Sequence, residues 1–573
     1  MADPTAVLQQ TNFTAIDWVI VILYPLISVG IGLYVRKLVV NMSDFVVAGR
    51  GLGVCLGIAT MTGTELGLIT VMYSSQKGFT GGFAAFHIAL AAGIVTFLVG
   101  ATGLFVYRLR EMGVMTIPEF YERRFDRKTR ILGGIMMATG GILNMGLFLK
   151  VSSMFLVGIT GLSAASVTGE ASVDWVLTSV MIALTALVLV YTCLGGMVSV
   201  VIADYVQFVV LSFGLLAASA LAMYHLGWDN IFSTVQQDMG KAGFDPTVAE
   251  SGFGWEYIIW MGFTGLVSCA IWPTAVARAL AMDSPRAVKR QYMFTSVSFM
   301  IRFLIPYFWG ICAFVFVMQH TELKQLFFPA GYPIPKSMPE GVSSLDNLLA
   351  MPLMLGRVLP MGLIGLITAG MLAAFMSTHD SYLLCWSSVL TQDVIAPLRE
   401  ARGRPISAKA RVALTRVLIV VIGVAVLIWG IVYVGEDDIW DYMAVTGAIY
   451  STGAFALLLG GLYWRRASST GAFLGLLTGC SAVLGLSPVQ KGLGFALTWL
   501  LKATSPIWGG IPEETSVTIE ISGARVGLIT VGVTVFVMVV GSLLFPDRKG
   551  PDRKGPDPKG NEQPQSASKS GGV

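Results

Sequence analysis

A chain of 573 residues that is 55% hydrophobic, 13% charged and has a mean hydropathy of +0.73 carries more apolar surface than one water-soluble core can bury, so it reads as a polytopic membrane protein. Its formal net charge of +4 is small and unevenly placed, which speaks of topology and gives no reason to expect a nucleic-acid partner. The six cysteines, Cys55, Cys193, Cys269, Cys312, Cys385 and Cys480, sit in apolar segments without C-x-x-C spacing, so neither a disulfide framework nor a zinc site is expected, and no cofactor is called for.

Residues 1–15 form an N-terminus without Lys or Arg ahead of the first apolar run, which argues against a cleaved signal peptide. A transmembrane domain is expected over residues 16–545. Within it thirteen apolar segments, centred near residues 26, 63, 95, 145, 184, 212, 268, 305, 371, 420, 452, 477 and 535, are each long enough to cross a ~30 Å hydrocarbon layer and stay in contact with lipid. If the N-terminus is outside, the inner connections and tail hold 28 of the 38 basic residues, the asymmetry that the positive-inside rule requires. That predicts an inner-membrane protein with an outside N-terminus and a cytoplasmic C-terminus.

The second segment contains Gly57-Ile-Ala-Thr-Met-Thr-Gly-Thr-Glu-Leu-Gly67. Three glycines, three threonines and an ionisable Glu65 make a poor passive anchor, and polar backbone in hydrocarbon survives only where it is buried in protein or lines a wet cavity. A helix broken here is expected to be broken for a ligand. Met115–Arg124 is expected to form a short interfacial helix, and the polar loops 226–254 and 320–350 are expected to cap an entrance.

The seventh segment, Trp260 to Pro273, is also Gly-rich, polar and stopped by proline. It lies five helices after the second, and an odd offset predicts an inverted repeat of helices 2–6 and 7–11. In the ninth, Ala374, Ser377 and Thr378 share a helical face at i, i+3 and i+4. With carbonyls of Ala59 and Thr62 they offer about five oxygens, the donor type a hard cation such as sodium takes.

Asp204 and Asp380 are intramembrane carboxylates expected to face the interior. Each could ligand a cation, take a proton or pair with Arg302. His87 and His379 could be hydrogen-bonded interior residues or proton shuttles. The tail 546–573 repeats Pro-Asp-Arg-Lys-Gly and is expected to be disordered.

Four motifs then carry a resemblance: Tyr191 to Gln207 (YTCLGGMVSVVIADYVQ), Ala277 to Asp283 (ARALAMD), Ala374 to Thr378 (AFMST) and Gly460 to Gly471 (GGLYWRRASSTG). In this order and at these segments the chain resembles the sodium/solute symporter family over about residues 15–545. The resemblance implies an all-α, thirteen-helix protein with a LeuT-like five-plus-five core. It also implies no enzymatic activity, and sodium-coupled import of a small polar organic solute by alternating access.

Carried over by motif, the main sodium site falls on the carbonyls of Ala59, Thr62 and Ala374 and the hydroxyls of Ser377 and Thr378. A second cation or proton site falls on Asp204, Asp380 and Ser381, where the aspartate at 380 replaces a more usual serine and admits proton movement. The solute pocket falls on Met61, Thr64 and Glu65, then His87, then Ser268 and Trp272, with Arg302 matching a sugar-contacting position; Glu65 and Arg302 together suit a zwitterion. The alternatives are a transporter-like solute sensor without sodium-driven accumulation and a proton-coupled carrier.

Overall fold

A computed structural model describes residues 4–35, 50–162, 175–248, 251–332, 344–433, 438–508, 517–519 and 521–547. Among them the only pairing of β type is a lone bridge between Leu52 and Met282. The rest of the regular structure is helix, because inside hydrocarbon a helix satisfies its backbone groups within its own segment. The principal helices are α1 (Ala15–Val35), α2 (Val54–Glu65), α3 (Leu68–Gly81), α4 (Phe86–Thr102), α5 (Arg127–Met145), α6 (Phe148–Thr160) and α7 (Trp175–Leu226). They continue as α8 (Gly254–Ala270), α9 (Pro273–Leu280), α10 (Pro285–Gln319), α11 (Leu363–Val389), α12 (Ala408–Val432), α13 (Ile439–Tyr463) and α14 (Gly523–Leu544).

By length and composition eight described helices can cross a membrane, or up to ten if each of two sharply bent pairs is one crossing. The expected thirteen is a finer division, and two stretches show where the difference arises. Leu68–Thr102 passes as one apolar stretch of 35 residues, yet its two halves run in opposite directions along α10. Going up α10, Gln291 bonds the carbonyl of Gly57, Ser298 meets Thr62, and Phe314 meets Phe79, so α2 and α3 run parallel to it. Gly93 instead lies against Met300 and Gly100 against Met293, so α4 runs antiparallel. The chain reverses at the 3-10 turn Gly82–Ala85, which opens on Gly82 at φ +58°.

The second stretch is α7, whose 52 helical residues would measure about 78 Å if straight. Its apolar parts, Trp175–Val190 and Val209–Leu226, have different partners. Met181 and Leu189 lie against Gly430 and Gly423 of α12, whereas Leu211 lies against Gly370 of α11.

Close approach of backbones holds the centre together. A Cβ at Gly78 would sit 2.1 Å from the Tyr307 carbonyl oxygen, and one at Gly310 would sit 1.9 Å from that of Ser75. Small residues at such crossings are what membrane helices use to pack. In α11 89% of the apolar window is buried inside the protein, against 28% in α12, so α11 is a central element and α12 faces lipid. The Asp17 carboxylate accepts the Gly362 and Gly365 N–H groups at 2.8 and 2.9 Å, placing a negative charge at the N-terminus of α11 where the helix dipole favours it.

The short helix expected over Met115–Arg124 forms over Ile117–Arg124, with Thr116 capping Glu119 N–H and Pro118 in the first turn. Its Arg124 donates to the carbonyls of Gly461, Trp464 and Ala467. The loop of the first expected cap contains the helix Trp228–Asp238, and its Phe232 and Phe244 stack on Phe83 of the Gly82–Ala85 turn; the second contains Thr321–Phe327. The tail from residue 548 lies outside the described residues.

Candidate solute cavity and ion site between two broken helices

The first break falls at Leu66–Gly67, at the C-terminal edge of the Gly57–Gly67 motif. Ala59 and Thr62 lie inside α2, and the Thr62 carbonyl still takes Leu66 N–H at 2.8 Å. Beyond it the carbonyls turn to other partners. Glu65 O accepts from Arg302 Nη1 at 2.9 Å and from Thr70 Oγ1 at 3.0 Å, and Thr64 O accepts from Thr378 Oγ1 at 3.3 Å. Gly67 is extended, and a Cβ there would meet Thr378 Oγ1 at 2.3 Å.

The second break falls at Ile271–Trp272, between α8 and α9, and bends the helix by 41°. Pro273 opens α9 and Trp272 before it is extended, at φ −65° and ψ 126°, the conformation a following proline imposes. The Cys269 carbonyl, one turn back, accepts from Tyr292 Oη at 2.6 Å.

Between the breaks lies a cavity of about 750 Å³, counting its open mouth. The first break contributes Thr64 and Glu65, the second Ser268 and Trp272, and α10 and α11 contribute Arg302 and Thr378. Aromatic faces, among them Tyr73, Trp260, Tyr382 and Trp440, cover much of the remainder, the usual composition of a small-molecule site with a few oriented polar groups.

The charges in this wall are paired. Arg302 Nη1 lies 3.1 Å from Glu65 Oε2, with both side chains nearly inaccessible, and its Nη2 donates to Ser268 Oγ at 3.0 Å. The other Glu65 oxygen accepts from Thr274 Oγ1 at 2.9 Å, and the guanidinium lies 3.8 Å from the Phe299 ring centroid. Of the carboxylates that could face Arg302, the partner is Glu65.

Ala374, Ser377 and Thr378 are buried in α11, which packs against α2, the helix carrying Ala59 and Thr62. Ser377 Oγ leans back to Ala374 O at 3.5 Å, and Thr62 Oγ1 is 2.7 Å from Ser298 Oγ. Asp380 is fully buried, with Ser381 Oγ 3.3 Å from its Oδ1. Asp204 lies in α7, and its side chain falls outside the described residues.

Met61 and His87 do not line the cavity. Met61 is wholly inside the packed core. His87 stands just past the reversal, bonded to Ala84 O and packed on Phe253. His379 is bonded to Phe375 O and meets Phe148 edge-on.

Several lining residues were not foreseen. Asn144 donates to Met443 O at 2.8 Å and fixes α5 to α13. Trp272 Nε1 donates to Tyr382 Oη at 2.9 Å. A lone amide in an apolar run, as at Asn144, is a signal that could have been used, whereas Tyr382 and Trp440 have none.

Comparison with known proteins bears on the family and the fold. The profile described as "Sodium:solute symporter family" matches residues 45–479. The chain is 24% identical over 510 residues to a sodium/glucose cotransporter of Vibrio parahaemolyticus, covering 85% of this chain and 88% of that protein. It is also 24% identical over 493 residues to a sodium/proline symporter of Staphylococcus aureus strain Newman, covering 84% and 87%. The substrate-bound, outward-open structure of a Na+-coupled sialic acid symporter has a TM-score of 0.69 at 18% identity, over 93% of this chain and 98% of that one, a likeness of fold. With a profile match over most of its length and the all-helical, LeuT-like architecture to accompany it, the chain belongs to the sodium:solute symporter family, a family of membrane transporters and not of enzymes.

Proposed function

We infer that the protein imports a small polar organic solute by alternating access, driven by sodium, with its N-terminus outside and its C-terminus cytoplasmic. The observation that carries this is Thr378. Its side chain lines the cavity and also touches the first break at Thr64 and Gly67. It therefore belongs to both the wall a solute would meet and the oxygen set assigned to sodium.

Sodium held by the carbonyls of Ala59, Thr62 and Ala374 and the hydroxyls of Ser377 and Thr378 would join α2 to α11 and fix that wall. Solute then binds better once the ion is in place, and by linkage the ion binds better with solute present. Asp380 and Ser381, with Asp204, are the candidates for a second cation or a proton. The relatives named for glucose, proline and sialic acid support a small polar organic solute. The buried Glu65–Arg302 pair favours one that is neutral or zwitterionic, since a solute with one net charge would meet an already neutralised wall.

Thermal shifts of the purified protein against sugars, amino acids, monocarboxylates and vitamins, in sodium and again in potassium, test the reading. A solute whose stabilisation needs sodium is expected; stabilisation indifferent to sodium would instead favour a sensor or a proton-coupled carrier. Ser377→Ala with Thr378→Ala is expected to raise the sodium concentration for half-maximal uptake roughly tenfold or more. An unchanged sodium response would remove these residues from the ion site.

A further inference from the structure

A second cavity, about 460 Å³, lies beyond the first. Three helices pass from one to the other. Asn144 of α5 lines the first and Met137 the second; Trp272 lines the first and Pro273, Val276 and Ala277 the second. On α11, Thr378 and Tyr382 line the first, and Ser381, Cys385 and Ser388 the second. The two cavities thus lie end to end along the same three helices, with each handover made within about two turns.

The layer between them is narrow. Arg278, on α9, is 1% exposed and lines the second cavity. Its Nη2 donates to Thr64 Oγ1, in the wall of the first cavity, and to Ser381 Oγ, in the wall of the second, both at 2.7 Å. Beside it the Trp272–Tyr382 hydrogen bond closes the layer at 2.9 Å, backed by the fully buried Trp386, whose ring meets Trp272 at 5.6 Å and Tyr382 at 5.7 Å. One guanidinium therefore ties three elements, the end of α2, the last turn of α9 and α11; α2 reaches only the first cavity, while α11 runs along both.

We propose that the second cavity is the cytoplasmic half of the solute pathway, and that Arg278, with the Trp272–Tyr382 pair, is the partition that must part for the solute to leave. This rests on the chain being a symporter with its basic end cytoplasmic. The chemistry suits a gate: the three hydrogen bonds are short and directional, and the Thr64 and Ser381 hydroxyls and the Tyr382 phenol that receive them are groups water can satisfy as well as the protein does once the layer opens. Thr64 also ties the partition to the ion site, because its carbonyl accepts from Thr378, so an ion that orders α2 against α11 holds the partition shut.

Cys385, in the wall of the second cavity, supplies the reporter. In inside-out vesicles, modification of Cys385 by a charged, membrane-impermeant methanethiosulfonate is followed with Cys385→Ser as the background. Sodium is expected to slow modification relative to potassium. In sodium, Arg278→Gln and, separately, Tyr382→Phe are each expected to speed it roughly threefold to tenfold, the worth of one or two hydrogen bonds.

Tyr382→Phe keeps the ring and removes the hydroxyl that accepts from Trp272, so it serves if Arg278→Gln does not fold. Equal rates in sodium for wild type and every folded variant overturn the partition. The melting temperature of wild type in sodium against potassium reports the ion reading separately. No sodium shift, with faster modification in the variants, sinks sodium coupling and leaves the partition standing.

Discussion

The two broken helices solve the same problem in opposite ways. At Leu66–Gly67 no proline interrupts the chain. The break is held open from outside, by Arg302 and Thr70 on the Glu65 carbonyl and by Thr378 on that of Thr64. At Ile271–Trp272 the break is written into the backbone, because Pro273 brings no N–H and forces Trp272 into an extended conformation. A break held by neighbours can change when the neighbours move or bind an ion; one imposed covalently cannot. The first is therefore the responsive break, and the second the fixed frame against which it works.

The most forceful way to attack that contrast is Glu65→Ala. It leaves the Arg302 guanidinium buried without its carboxylate, and losing one partner of a buried pair costs about 3–5 kcal/mol. Denaturant or heat unfolding in detergent should show it, and Arg302→Met in the same chain should recover much of the loss by removing the stranded charge. If Glu65→Ala unfolds like wild type, the first break does not depend on its neighbours and the distinction fails.

Gly67→Ala probes the same break by shape. The new methyl would lie 2.3 Å from Thr378 Oγ1, and an overpacked buried site typically loses about 1–3 kcal/mol. Adding Thr378→Ala removes the clashing oxygen and should restore stability without restoring the sodium response. Recovery of both would show that Thr378 sets spacing alone.

How much of this was legible beforehand follows from the range over which each signal acts. Glu65, Thr64, Thr378, Ser268, Trp272 and Arg302 announce themselves as polar, breaking or ionisable residues within apolar segments, and all six line the cavity. The partner of Arg302 was not legible: the sequence offered Asp204 and Asp380 for it, whereas the structure pairs it with Glu65, 237 positions away. His87 was expected in the pocket as part of the helix after the first break, but the tight reversal at Gly82–Ala85 sets it at the very start of α4, against Phe253. Arg278 lay in a quoted motif, yet its role depends on Thr64 and Ser381 meeting it from two other helices. The segment count was blurred for a similar reason, since composition does not distinguish a long helix from two that fold back at a glycine.

Pro273→Ala carries the smallest expected effect and tests the other side of the contrast. The substitution returns an N–H that would seek the Cys269 carbonyl in a continuous helix, but that oxygen already accepts from Tyr292 Oη, and Trp272 is separately tied to Tyr382. The new N–H and the phenol then compete for one acceptor. Stability should move by only about 1 kcal/mol in either direction, while the partial straightening of the break displaces Trp272 and Ser268 from the cavity wall. The solute-dependent thermal shift should therefore fall although the unliganded protein melts almost where wild type does. Wild-type solute binding in Pro273→Ala would mean that Tyr292 and Tyr382 hold the second break as neighbours hold the first, and both breaks would then count as responsive.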